Sequence, residues 1–255
     1  MGSLAKTVVF AVVAVVTSLL GHPQATPVPV VNQARATTAA APAASSTSGW
    51  TASNWAGYAI TAGGYNEVSA TWTVPSVQSG SGLSAMWIGI DGFNNNALIQ
   101  IGTEQNATSS GGTYYAWWEV LPSAESSITQ VPLSAGDQVN ARIAKNATDS
   151  WTISLTDVTT GASFQTTQSY TGTGTSAEWI MEAPNLGSQG SDLAHFSTFD
   201  VSSMEANSAD PNLTAQDAGV MIQQGQQVAT PSTPSFTANA FAMAYGSTAP
   251  QPPLF

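Results

Sequence analysis

From Gly49 onward the chain alternates between apolar and polar positions. The segments Glu67 to Val74, Ala85 to Ile90, Tyr114 to Leu121, Gln138 to Ala144, Trp151 to Asp157, Ser163 to Tyr170, Ala177 to Glu182 and Phe236 to Tyr245 are rich in β-branched and aromatic residues spaced two apart. That period belongs to strands with one face buried. Turn clusters separate them, such as Gly80-Ser81-Gly82, Ser110-Gly111-Gly112 and Thr160-Gly161. Asn140 to Ala144 and Trp151 to Asp157 read as a hairpin joined by Lys145 to Ser150, and Asp157 to Gly161 as the turn into the next strand. After Asn185 the pattern is less regular, and Asn207 to Asp217 reads as loop. No helical period is sustained in this region, and no repeat of solenoid length occurs. The pattern predicts an all-β fold, a sandwich or barrel of antiparallel strands rather than a parallel α/β sheet.

The first 48 residues differ. Lys6 precedes an apolar run from Thr7 to Leu20, with small residues near Ala25, so residues 1–25 read as a secretory signal peptide. The run is short for a membrane span, and no basic stop-transfer flank follows it. We therefore expect an exported, extracellular protein without stable membrane association once the signal is removed. Residues 26–48 are mostly Ala, Thr, Ser, Pro and Val, too poor in large apolar groups for a core, and read as a linker or short propeptide. Residues 49–255 are enough for one sizeable domain. With no cysteine in the chain, packing must supply its stability, and eight tryptophans that each bury roughly 200 Å² suit that task.

Charge narrows the function classes. All fifteen acidic residues follow Gly49, where the only strong bases are Arg142 and Lys145. Nucleic acid is excluded as a partner, since phosphate recognition needs basic clusters. Acid would protonate the carboxylates and leave few cations to repel one another, so the domain is expected to stay folded and active near pH 3 to 4. Three Asn-x-Thr acceptor sites, at Asn106, Asn146 and Asn212, fit an exported chain.

Counting removes several mechanisms. His195 is the only histidine beyond the leader, which leaves too few ligands for a zinc hydrolase and no Gly-x-Ser-x-Gly elbow to accompany it. A cysteine nucleophile is impossible. Asp91 is followed by Gly92-Phe93, not by the Asp-Thr/Ser-Gly of pepsin-like enzymes. What remains is carboxylate and carboxamide chemistry on a sheet. In Leu98-Ile99-Gln100-Ile101, strand geometry places Gln100 on the face of Leu98 and away from Ile99 and Ile101. A partly buried amide is either a structural hydrogen bonder or a preorganised donor. Glu178 and Glu182 share a face with Ile180, where burial would raise a carboxyl pKa from about 4.3 to a value useful for general acid or base work. Periodicity does not choose between these two glutamates.

Six ordered segments, Ser53-Asn54-Trp55-Ala56-Gly57-Tyr58, Thr71-Trp72-Thr73-Val74-Pro75, Trp87-Ile88-Gly89-Ile90-Asp91-Gly92, Leu98-Ile99-Gln100-Ile101-Gly102-Thr103, Tyr114-Tyr115-Ala116-Trp117-Trp118-Glu119 and Ala177-Glu178-Trp179-Ile180-Met181-Glu182, together resemble the eqolisin-type glutamic peptidases. The resemblance runs from about Gly49 to Tyr245. It implies an antiparallel β-sandwich of two bent sheets, lectin-like in layout, and a secreted acid endopeptidase that acts on polypeptides as a monomer without metal or other cofactor. By motif position it makes Gln100 and Glu182 the catalytic pair, on neighbouring strands of one concave face. Glu182 would be general base and then acid on water, and Gln100 the oxyanion stabiliser. Trp55, Trp87, Asp91, Glu104, Glu119 and Glu178 match positions that bind substrate or support the cleft. Glu104 stands where an aspartate is common, while Tyr115 and Leu121 replace the Asp and Tyr of fungal members. The alternative is a carbohydrate-binding or glycoside-hydrolysing sandwich. Against a Glu178/Glu182 glycosidase dyad, four strand residues separate Cβ atoms by roughly 13 Å, more than the retaining geometry allows.

Overall fold

A computed structural model describes residues 49–254 apart from 187, 188, 236 and 238, so the expected signal peptide and linker lie outside the described residues. The described chain forms strands β1 (Trp50–Ala52), β2 (Trp55–Ile60), β3 (Glu67–Thr73), β4 (Ala85–Ile90), β5 (Ile99–Thr108) and β6 (Gly111–Val120). There follow β7 (Ser126–Pro132), β8 (Gln138–Ala147), β9 (Ser150–Asp157), β10 (Ser163–Ser169), β11 (Ala177–Glu182) and β12 (Asn185–Leu186). The last are β13 (Gln189–Gly190), β14 (Phe199–Ala206), β15 (Ala218–Gln223), β16 (Gln226–Pro231) and β17 (Phe241–Tyr245). The β8–β9 hairpin and the loop at 207–217 are where the pattern put them, and β4 and β11 match to the residue. The stretch after Asn185 is more regular than its sequence suggests, since β14 to β17 are ordinary paired strands.

The fold is the antiparallel β-sandwich that the family resemblance implied, one of the two architectures, sandwich or barrel, that alternation left open. One layer contains β2, β11, β4, β5, β6 and β7, and the other β10, β9, β8, β3, β14 and β17. Contacts of β3 with β4, of β5 with β8 and β9, and of β7 with β10 close the layers face to face. The two are continuous in hydrogen bonding, because β16 and β15 carry the ladder from β17 round to β2. Among the strands of the described residues pairing is antiparallel except where β1 lies parallel to β15, and an isolated parallel bridge joins Leu83 to Leu193.

Alternation divides the residues of the first layer between two cores. Tyr58, Met86, Ile88, Ile99, Ile101, Trp179 and Met181 point between the layers and pack on Trp72 and Trp151 from the second. Their neighbours Trp55, Ala85, Trp87, Leu98, Trp117 and Ile180 form a smaller cluster on the opposite, concave face. Polar side chains enter that face because period two admits them between apolar residues.

Register makes the face a grid. Gly57, Ile180, Trp87, Gly102 and Trp117 form one row across β2, β11, β4, β5 and β6. On one side lies the row Trp55, Glu182, Ala85, Glu104 and Tyr115, and on the other Ala59, Glu178, Gly89, Gln100 and Glu119. The central indole needs room. A Cβ on Gly102 would press on the Met86 carbonyl and stand 2.6 Å from the Trp87 Cβ. Gly102→Ala is therefore expected to destabilise the domain by about 1 to 3 kcal/mol, the usual cost of overpacking. Urea denaturation measures this, and an unchanged midpoint would show that the row has slack.

Candidate active site

Glu182 ends β11 with its carboxyl turned onto the concave face, only 4% exposed. Trp87 Nε1 donates to Oε2 at 2.8 Å, and Asn54 Nδ2 makes a longer bond to Oε1 at 3.4 Å. The Trp55 indole packs edge-on against Trp87, with ring centroids 5.0 Å apart, and its N–H has no other partner of normal geometry. Burial pushes the Glu182 pKa up to about 7. The Trp87 and Trp55 indoles pull it down, while the nearby charges of Glu119 and Glu104 raise it further.

Gln100 lies on β5, and β4 runs between it and β11, so the expectation of neighbouring strands is corrected to strands two apart. The intervening positions are small: Gly89 sits between Gln100 and Glu178, and Ala85 between Glu104 and Glu182. Over Ala85, Glu104 and Glu182 are near enough for charge to act between them, whereas the space above Gly89 is taken by the Trp87 ring and the Leu98 side chain, whose Cζ3 and Cδ1 lie 2.8 and 3.0 Å from where a Cβ would stand. Gln100 is 2% exposed and donates from Nε2 to Glu119 Oε2 at 2.6 Å across the β5–β6 pair. Its Oε1, like Glu119 Oε1, has no hydrogen-bond partner. Burial lifts Glu119 to about 7 against the lowering effect of the Gln100 bond.

The other expected support residues divide. Glu104 is fully buried in the row of Glu182, takes a bond from Asn106 Nδ2 at 2.7 Å and has its pKa raised by burial. Glu178 is fully buried, with no hydrogen bond of normal geometry, and burial holds its pKa well above the usual range. Asp91 behaves in the opposite way. Burial alone would raise it, but its oxygens accept from Asn95 Nδ2 (2.7 Å), the Tyr170 hydroxyl (2.7 Å), the Gly174 and Thr175 amides (2.9 and 2.8 Å) and Thr175 Oγ1 (2.9 Å), and the net pKa is lowered. It ties the 170–175 loop to the end of β4 in a left-handed conformation, φ 67°. His195 is exposed and packs its ring beside that of Tyr245, with centroids 4.2 Å apart.

Sequence reasoning did not single out Asn54 or Glu125. Asn54 was visible only as the neighbour of Trp55. Glu125 follows β6 in a loop, and its place emerges from register: Trp118 pairs with Ser126, so one step further Glu125 stands beside Glu119.

A family model of the peptidase A4 family matches residues 53–245. The chain belongs to the peptidase A4 family. This is the eqolisin family of glutamic peptidases, and the protein is a peptidase, which decides against the carbohydrate-binding alternative. Scytalidopepsin B of Scytalidium lignicola is 30% identical over 181 residues, 68% of this chain and 68% of that protein. Aspergillopepsin-2 of Aspergillus niger is 29% identical over 205 residues, 70% of this chain and 73% of its own length. Among solved structures, scytalido-glutamic peptidase with a transition state analog inhibitor superposes with a TM-score of 0.65 at 27% identity, covering 76% of this chain and 98% of that one.

The raised pKa values have a sign. A carboxyl whose pKa is higher in the fold than in the unfolded chain adds stability that is full below about pH 4.5 and is lost as pH rises through about 7, the value for Glu119 and Glu182. Asp91 and Glu67, both lowered, contribute above their ordinary pKa and lose it as pH falls below. The melting temperature is expected to peak near pH 4 to 5 and to fall toward pH 8. Glu119→Gln keeps an acceptor for Gln100 and should recover about 1 to 3 kcal/mol of the loss at pH 8. Thermal melts across pH 3 to 8 measure both slopes, and parallel curves for the two proteins would contradict the assignment.

Proposed function

We propose that this peptidase is an exported, monomeric endopeptidase working in acid on polypeptides, with Glu182 and Gln100 as its catalytic pair. The observation that carries the proposal is one buried carboxyl and one buried amide on the same concave face, each oriented by its own polar partner: Trp87 for Glu182 and Glu119 for Gln100. Solved relatives hold peptidic ligands, in one case the tripeptide Ala-Ile-His, and this supports a polypeptide substrate. Export rests on the N-terminal pattern. Among the described residues no helix is long and apolar enough to cross a membrane.

In this reading ionised Glu182 removes a proton from water as the water attacks the scissile carbonyl, and a Gln100 amide N–H meets the developing oxyanion. Protonated Glu182 then gives its proton to the departing amine. A pKa of about 7 changes one expectation about acid operation. At pH 4 Glu182 rests mostly protonated, and forming the base costs about 1.4 kcal/mol for each pH unit below its pKa. The indole donors reduce that cost by favouring the carboxylate, while a base of higher pKa is intrinsically stronger.

Glu182→Gln is expected to lower kcat by about 10² to 10⁴ with peptide binding retained. Gln100→Ala should cost about 10² to 10³, and the double variant little more than the worse single one. Glu178→Gln should stay active. Full activity in both Glu182→Gln and Gln100→Ala would sink the dyad, whereas loss only in Glu178→Gln would move the role to that carboxyl.

A like charge raises the Glu182 pKa, so removing it must lower that pKa. In Glu119→Gln the acid limb of the kcat/KM profile is accordingly expected at lower pH than in the parent. A pH–rate series on one peptide decides the matter, and a limb moved upward would show that Glu119 does not act on Glu182 by charge.

A further inference from the structure

The loop between β14 and β15 contains the bond Asp210–Pro211, and an Asp–Pro link is the peptide bond most readily broken by acid. Two properties of the pair cause this. The proline nitrogen carries no hydrogen and departs as a basic secondary amine. The aspartate carboxyl reaches its own carbonyl carbon through a five-membered ring, an intramolecular attack that gains from proximity and gains more when the groups are held in place. In this fold they are held. Asn212 N–H donates to Asp210 Oδ1 at 2.8 Å, and Asn212 Nδ2 donates to the Asp210 carbonyl oxygen at 2.9 Å. One residue thus grips both reacting groups, the carboxyl and the carbonyl of the bond itself.

The backbone around the bond is pinned as well. Asn212 is left-handed, φ 50°, a conformation that asparagine tolerates better than most side chains. Upstream, Ala206 and Ala209 exchange backbone hydrogen bonds at 2.9 and 3.2 Å. Downstream, Asp217 Oδ2 accepts from the Thr214 amide and hydroxyl at 2.8 and 2.7 Å, and the Leu213 side chain is buried. Asp210 itself is exposed, and a cavity of about 230 Å³ opens beside the bond, so water has access. Asp210 is the one titratable group lining that cavity, and the other acid of the loop, Asp217, is engaged with Thr214.

We propose that the chain cleaves itself at Asp210–Pro211 in acid, by a reaction separate from the peptidase site. A carboxyl oxygen of Asp210 bonds to the Asp210 carbonyl carbon, and the Asn212 Nδ2–H meets the oxyanion that forms there. The bond from that carbon to the Pro211 nitrogen then breaks, and the nitrogen's electron pair takes the proton that the carboxyl gave up. Water opens the cyclic anhydride left behind, which restores the Asp210 side chain and leaves a free α-carboxyl. One water is consumed for one peptide bond. Because the leaving nitrogen must be protonated, the reaction is faster in acid. The product has two chains, ending at residue 210 and running 211–255. β14 keeps its pairing with β3 and β17, and β15 keeps β2 and β16, so the pieces stay joined, with Gln100 and Glu182 both in the longer one.

The test incubates the parent and Glu182→Gln at pH 3 and pH 6 and follows fragments by intact mass and N-terminal residue. In both proteins a fragment beginning at Pro211 is expected, forming faster at pH 3 and at a first-order rate that does not depend on protein concentration. That rate should exceed the rate of the same protein unfolded in urea at the same pH by roughly tenfold or more, since only the fold orients the groups. Asn212→Gly suits the left-handed backbone but removes Nδ2, and should slow cleavage by roughly tenfold or more. Pro211→Ala should abolish it, and circular dichroism confirms that each variant is folded. A chain that stays intact at pH 3 would overturn the proposal, as would a folded rate no greater than the rate in urea or one that Asn212→Gly leaves unchanged. A rate that rises with protein concentration, or that vanishes in Glu182→Gln, would assign the nick to proteolysis and overturn self-cleavage.

Discussion

The hydrogen bond from the Trp87 indole to Glu182 organises the concave face. It requires a large aromatic group at the centre of a sheet surface: the ring lies over Gly89, where a Cβ would stand 2.8 Å from its Cζ3, and Gly102 lets β5 pack closely against the Met86 carbonyl and the Trp87 Cβ. Ile180 and Trp117 complete the row, and Trp55 closes on the ring from an edge. Without the indole the carboxyl would lose its 2.8 Å donor and keep the long 3.4 Å bond from Asn54, an expensive arrangement for a buried charge. With it, the carboxyl is oriented and remains able to ionise.

The same domain shows how environment separates residues of one chemical type. Asp91 and Glu178 are both fully buried acids near the ends of paired strands. Five donors hold Asp91 below its ordinary pKa, so it serves as a charged tie between loop and strand. Glu178 has none of normal geometry, and burial, with the Asp91 charge adding to it, holds its pKa well above the ordinary carboxylate range. Glu119 and Glu182 fall between, buried but each engaged with a donor, and their pKa values near neutrality follow from that balance. Burial thus raises Glu104, Glu119, Glu178 and Glu182 alike, so acid favours the uncharged forms that these interior carboxyls already lean toward.

Period two was the most readable signal. It put Gln100, Glu178 and Glu182 on the face opposite Ile99, Ile101, Trp179 and Met181, and the two cores divide along that line. Strands whose sequence lacks alternation were harder to read. In β14, Phe199–Ala206, a bulge between Ser202 and Glu205 interrupts the pairing with β3, so inward and outward positions change phase midway. In β15 and β16 glutamines and glycines dilute the pattern, and a further irregularity falls between Met221 and Ile222. Those strands are specified by neighbours already in place.

By itself the sequence determined the fold class, the faces and the chemistry on offer, because side-chain alternation and residue type are local properties that survive without knowledge of what lies opposite. Motif order added the choice of Gln100 and Glu182 by resemblance. Only the tertiary structure decided which strands lie between them, because sheet order is set by long-range pairing that no local window contains. It showed that Glu104 and Glu182 approach each other over Ala85, that the Trp87 ring and Leu98 fill the space above Gly89, and that Glu125 lies near Glu104, Tyr115 and Glu119 from a loop. Proximity between groups distant in sequence is what sets each carboxyl's pKa, and proximity exists only once the sheet has closed.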